Sequence, residues 1–341
     1  MGVIDQKVLA DESGVLMAGY CTDESGARLP CYWQGNKLFT LATPEGKGGI
    51  VYAVGRMGEE IYAAGFYYGD GGLKKPCYWK NGVCVQLPVV DPAKSSEVRA
   101  LYFKDRELLL SGFCGHPLYG TQACLWINGD ISPVNPVKIG NVSQSFTLTM
   151  DKGDIYSSGH LVRGTDYILL PCYWKNQTYH SLPVMNPPFE YGTAESMVIS
   201  GSNLYFAGYV NTFAEPSRPC YWRNEQIFEL PVLDQLRGGY AFAMTLCQDD
   251  LIIVGFCPDK KGIARPCYWR NEEIATLPTL LDRGEGWAKA VGVQGEEQLY
   301  IVGYCRNALN GTTPCYWRDG KRYDLPAVDP HEEAAVLAVN L

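Results

Sequence analysis

The stretch Pro76-Cys77-Tyr78-Trp79-Lys80-Asn81-Gly82-Val83-Cys84-Val85-Gln86-Leu87-Pro88 decides how this chain reads. Its first four residues return as Pro30–Trp33, Pro171–Trp174, Pro219–Trp222, Pro266–Trp269 and Pro314–Trp317, and a degenerate copy reads Ala123-Cys124-Leu125-Trp126. The motif cysteines follow one another at intervals of 46, 47, 48, 48, 47 and 48 residues. Seven of the eight tryptophans occupy the last position of the motif, so the chain is a seven-fold internal repeat.

Each unit reads as four short strands. The first is a small-residue alternation, such as Tyr240-Ala241-Phe242-Ala243-Met244. A tight polar turn leads into a second strand ending in a Gly-aromatic pair: Gly19-Tyr20, Gly65-Phe66, Gly208-Tyr209, Gly303-Tyr304. After a longer loop comes the Pro-Cys-Tyr-Trp strand, closed by a turn such as Asn81-Gly82, a strong hairpin signal. A fourth strand ends in Leu-Pro, where proline suits an outer edge that has no neighbour needing its N–H. No stretch sustains a 3.6-residue apolar period, so helix is expected to be nearly absent.

Four antiparallel strands per 46–48 residues, seven times over, predict an all-β, seven-bladed β-propeller spanning 1–341 as a single domain. One four-stranded blade has two apolar faces and buries neither alone; a closed ring of blades buries both. The chain opens almost directly on a second-type strand, Val15–Tyr20, and ends on an unpaired first-type strand, 334–341. That tail is expected to complete the N-terminal blade and shut the ring.

The Gly-aromatic strand, Pro-Cys-Tyr-Trp strand, Asn-Gly turn and Leu-containing strand resemble the HAF-type repeats of bacterial extracellular proteins, in which a Gly-aromatic strand is followed by Ala-Phe-Leu-Trp or Ala-Cys-Tyr-Trp. It is closer still to the Cys-Tyr-Trp-x-Asn-Gly repeats of bacterial lipoproteins. The resemblance covers nearly the whole chain; Ala123-Cys124-Leu125-Trp126 departs from it, as do Ser132-Pro133 and Leu41-Ala42 in place of Leu-Pro. It implies a propeller in an envelope or secreted setting and transfers no catalytic residues. Kelch repeats are similar in layout, but their paired glycines are missing here.

The composition agrees. With 46% apolar and 19% charged residues and abundant Gly (37), Pro (21) and Tyr (23), the chain is globular and rich in turns and strands. A formal charge of −8 argues against nucleic acid as the partner, and no apolar run is long enough for a transmembrane segment. Met1-Gly2-Val3-Ile4-Asp5 shows no signal-peptide pattern. The resemblance makes an extracellular or periplasmic location the expectation, with a leader already removed, and the missing signal pattern leaves cytoplasmic as the alternative; the chain is expected to be a monomer.

Thirteen cysteines invite a disulfide reading. Four blades carry a second cysteine ten positions before the motif cysteine, pairing Cys21 with Cys31, Cys114 with Cys124, Cys257 with Cys267 and Cys305 with Cys315. Against that, Cys77, Cys172 and Cys220 hold the motif slot without such a partner, so the slot itself suits a small buried thiol. Both readings stay open.

Function is sought on the face carrying the long second-to-third-strand loops, because variable loops on a rigid scaffold are the usual site of binding. The candidate ligand-binding residues are Trp287, the one tryptophan outside the repeat, its counterpart Tyr240 one blade earlier, and the loop-face aromatics Tyr68, Tyr119, Tyr167, Phe189, Tyr191 and Phe213. No nucleophile elbow, phosphate loop or metal-ligand spacing occurs, so no catalytic residue, metal or cofactor is expected. The four histidines read as solvated. The expected role is a non-enzymatic binding or scaffold protein recognising a protein, peptide or glycan at the channel mouth. Two alternatives stand beside it: a hydrolase or lyase with an acidic site at that mouth, and a repeat protein with no ligand site. An enzyme would show two or more ionisable groups converging in one axial pocket.

Overall fold

The computed structural model describes residues 14–44, 46–118, 120–133, 142–163, 168–185, 190–212, 214–282 and 284–341. Seven antiparallel sheets stand around one axis as a seven-bladed propeller. Running outward, the second blade is Gly49–Met57, Glu60–Tyr68, Lys74–Lys80 and Val83–Gln86, and the other blades repeat this order. The fourth blade differs in that its inner strand is broken into Ser143–Ser145 and Thr149–Asp151, both paired to Asp154–Arg163. Among the described residues the helical content is a single short turn, Asp70–Gly72.

The expected closure is present. The C-terminal strand Ala334–Asn340 pairs antiparallel with Leu16–Thr22 and becomes the innermost strand of the first blade. The two ends of the chain thus lock within one sheet.

Strand periodicity explains the repeated motif. Alternate side chains face opposite sides of a sheet, so Cys and Trp of each motif share one face and Tyr takes the other. Trp33 and Cys31 accordingly pack against the seventh blade, with Tyr300 and Leu325, while Tyr32 packs against the second, with Trp79 and Val54. The same division recurs at every blade interface, and six of the seven motif tryptophans are essentially inaccessible to solvent. The indole N–H is satisfied across the interface: Trp79 donates to the Ala42 carbonyl, Trp126 to Pro88, Trp222 to Pro183, Trp269 to Pro231 and Trp317 to Pro278, all at 2.8–2.9 Å. The Leu-Pro pairs lie just beyond the outer strands rather than ending them. Leu is buried under the hairpin and Pro offers its carbonyl to the next blade's tryptophan.

The glycine of each Gly-aromatic pair is fixed by a close approach. At Gly65 a methyl group would overlap the Ile50 carbonyl oxygen of the inner strand, and Gly19, Gly112, Gly159, Gly208, Gly255 and Gly303 meet the same obstacle. The inner strand bulges here: pairing passes from Val51 opposite Gly65 directly to Ala53 opposite Ala64, leaving Tyr52 unpaired. A bulge of this kind turns one side chain out of the regular alternation. In this ring, out of the sheet means into the channel.

Candidate functional site

The bulge recurs in every blade. Its extra residue is Tyr52, Arg99, Glu195, Phe242, Lys289 or Leu337, with Phe146 at the same place in the broken strand of the fourth blade. These seven side chains meet at the axis and divide the channel into two chambers. The outer chamber, about 330 Å³, opens toward the long loops and is also walled by Tyr20, Arg28, Ile50 and Tyr304. The inner chamber, about 350 Å³, lies toward the short turns, where small residues such as Ala53, Ala100, Ser196, Ala243 and Ala290 line it. The small-residue alternation of the inner strands is what leaves room at the axis.

The strand motifs repeat from blade to blade; at this strand position phenylalanine alone recurs. In chain order the constriction alternates apolar and charged: Tyr, Arg, Phe, Glu, Phe, Lys, Leu. Arg99 lies with its guanidinium 4.0 Å from the Tyr52 ring centre and 5.6 Å from that of Phe146. Its Nε is 3.1 Å from a carboxylate oxygen of Glu97, which is buried and also ion-paired with Lys74. Lys289 Nζ sits 3.4 Å from the centre of the Phe242 ring. Burial lowers the Lys289 ammonium to about 8, against a smaller opposing pull from Glu195; Arg99 adds to the lowering. Glu195 is raised, chiefly by burial, although Lys289 and Arg99 both hold it down.

Above the constriction runs an aromatic belt. Tyr209 meets Tyr240 edge-on at 4.7 Å, Tyr240 stacks on Phe256 at 5.1 Å, Phe256 meets Trp287 at 6.1 Å, and Trp287 stacks on Tyr304 at 5.1 Å. Arg28 closes the next sector, 4.8 Å over the Tyr20 ring and ion-paired with Glu333 at 3.0 Å.

The sequence-predicted residues fall in three groups. Trp287 and Tyr240 are equivalent and belong to this belt, but they form the wall behind Tyr304 and Phe242 rather than the cavity surface. Tyr68 packs edge-on against Phe66 at 5.2 Å, and Tyr191 stands on the inner strand of the fifth blade. Tyr119, Tyr167, Phe189 and Phe213 lie outside the described residues. His160, read from sequence as solvated, is instead buried: it occupies the aromatic position after Gly159, edge-on to Phe146 at 5.3 Å, and burial lowers it to about 4. All thirteen cysteines are free thiols, with Cys21–Cys31 and Cys305–Cys315 in sulfur contact at 3.7 and 3.9 Å. No cluster of potential metal ligands forms among the described residues.

Sequence reasoning missed the seven constriction residues. A signal was present: they recur every 47–49 residues between small or β-branched neighbours, as in Ala194-Glu195-Ser196 and Ala288-Lys289-Ala290. A column of the repeat in which the chemistry changes while its flanks stay small marks a position freed from packing.

No family model matches the chain, and no curated protein matches it. Among solved structures, AofleA from Arthrobotrys oligospora is similar at 12% identity and a TM-score of 0.46, and a triple arginine-to-alanine mutant of it at 13% and 0.48. Each alignment covers 81% of this chain and 86% of that one. Likeness at that level carries no argument about function. No helix among the described residues is long and apolar enough to cross a membrane.

Proposed function

We propose that this protein is a non-enzymatic binding propeller that takes its ligand, a glycan or peptide end, into the outer chamber of the channel. One observation supports the reading: six bulges and the break in the fourth blade's inner strand deliver seven side chains of six types into a single 330 Å³ cavity, where the packing motifs of the strands repeat. Packing alone would favour one residue type at an equivalent position, as it does for the motif tryptophans. The cavity volume lies within the range of small-molecule sites, and aromatic walls with a few converging charges are their usual lining. The repeat resemblance supports an envelope or secreted setting, and we extend the proposal to that location. A glycan and peptide array, followed by Tyr304→Ala and Trp287→Ala, tests the site. Loss of the array hits on either substitution supports it; undiminished binding refutes it.

A second reading is favoured by Glu195 and Lys289, two shifted ionisable groups in one axial cavity, as a hydrolase or lyase would require. It is the weaker reading. Glu195 is the single carboxylate of the constriction, and Glu97 is already held by Lys74 and Arg99. Turnover of a glycoside or polyuronide by the wild type, abolished in Glu195→Gln, would establish it.

A further inference from the structure

Resting on the outer chamber as the binding site, the charge arrangement within it narrows the ligand class. The faces of Tyr52 and Phe242 would ordinarily attract a cationic ligand. Both are already covered by the chain's own cations, Arg99 at 4.0 Å and Lys289 at 3.4 Å. A second cation entering here would meet positive charge rather than an open aromatic face.

Charge balance points the same way. Around the chamber, Arg28 is matched by Glu333, and Lys289 is opposed by Glu195; Lys74 and Arg99 together share Glu97. Of these, Arg28, Arg99 and Lys289 line the chamber itself against the one carboxylate Glu195, with Glu97 and Glu333 set behind the wall. The buried Nε of Arg99 faces Glu97 at 3.1 Å without hydrogen-bond alignment. Among the described residues Lys289 makes no direct hydrogen bond or ion pair, Glu195 acting on it only at longer range; its ammonium lies over the Phe242 ring. An enclosed ammonium without an acceptor has a place for an anion, and the Arg99 guanidinium lines the same chamber.

We propose that the outer chamber binds a compact carboxylate, its oxygens drawn to Lys289 and Arg99 and its polar body lying between Glu195 and the Tyr304 wall. The volume equals that of about ten water molecules, which fits a sugar acid or a capped amino acid and excludes a folded partner. Glu195 restricts the charge accepted: a dianion would face carboxylate repulsion, and a monoanion bearing hydroxyl or amide donors would not.

Calorimetric titration of the whole chain tests this with matched probes: glucuronate against glucose, N-acetylalanine against its amide, and inorganic phosphate. At least one acid should bind ten-fold or more tighter than its neutral counterpart, and better than phosphate. The sugar and amino-acid arms tell which source supplies the carboxylate. Lys289→Met and Arg99→Gln should each weaken the acid ten-fold or more and narrow its advantage over the neutral probe, whereas Lys289→Arg should retain binding and guards against a folding defect. Equal affinity for acid and neutral forms, preference for phosphate, no binding of any probe, or an unchanged acid affinity in Lys289→Met would overturn the carboxylate assignment. If neutral probes or array ligands still bind and lose affinity in Tyr304→Ala, the chamber remains the site and only the ligand class is wrong.

Discussion

The indole N–H of Trp33 donates to the carbonyl oxygen of Pro326 at 2.8 Å, joining the first blade to the last across 293 residues of sequence. It is the same bond that Trp79, Trp126, Trp222, Trp269 and Trp317 make with the preceding blade, so the closing interface is built like those. Trp33→Phe should therefore destabilise by about 1–2 kcal/mol, through one lost hydrogen bond and an orphaned carbonyl. Trp222→Phe, at an internal interface, should cost the same. Urea midpoints measure both, and a much smaller effect at Trp33 would mean that the ring is not sealed there.

Gly65→Ala probes the link between the glycine column and the channel. The added methyl meets the Ile50 carbonyl and must push the inner strand at the bulge that presents Tyr52. A loss of about 1–3 kcal/mol is expected for such overpacking. The chamber should lose ligand affinity as well, although Gly65 touches no ligand.

His160 gives the fold an acid sensitivity. Its folded value of about 4 lies below the ordinary 6.5, so the unfolded chain takes up a proton that the folded chain refuses between those values. The stabilisation is complete above pH 6.5 and is lost as pH falls toward 4, by about 3 kcal/mol in all. Denaturation midpoints across pH 4–7 should show this slope. His160→Gln should flatten it.

Lys289 should titrate near 8, while surface lysines titrate about two units higher. Because Glu195 is the group that raises it, Glu195→Gln should move the midpoint further down, which amine-selective NMR of the labelled protein can read. Binding of an anion should be strongest below pH 8 and weaken above it as the ammonium discharges.

The cysteines should behave as thiols. Motif cysteines such as Cys172 and Cys220 are held well up by burial and should resist thiol reagents in the native state. Half-buried Cys84 is lowered by its contact with Cys77 and should react first. Thirteen thiols should be counted on the denatured, unreduced chain, and a count of about five would mean that the four ten-residue pairs are oxidised.

Blade number, strand order and ring closure were legible because each follows from local rules repeated seven times. Alternation puts Cys and Trp on one face, Asn-Gly dictates the hairpin at 80–83, and the orphan strand at the C-terminus has one place to go. The site was only partly legible. Trp287 and Tyr240 drew attention as aromatics breaking the repeat, and they do lie beside the chamber. Glu195, Lys289 and Arg99 did not, because strict two-residue alternation places them within the sheet. A one-residue bulge, invisible to that rule, turns them to the axis. His160 was misjudged for a related reason: its neighbour Gly159 identifies it as a member of the buried aromatic column, a context that its own chemistry conceals.

The most direct test is a crystal structure of the protein with its tightest-binding probe. Ligand density is expected in the outer chamber, within hydrogen-bonding distance of Lys289 and against Tyr304. Density confined to the loop tips or outer strands, with Lys289 and Arg99 untouched, would contradict it.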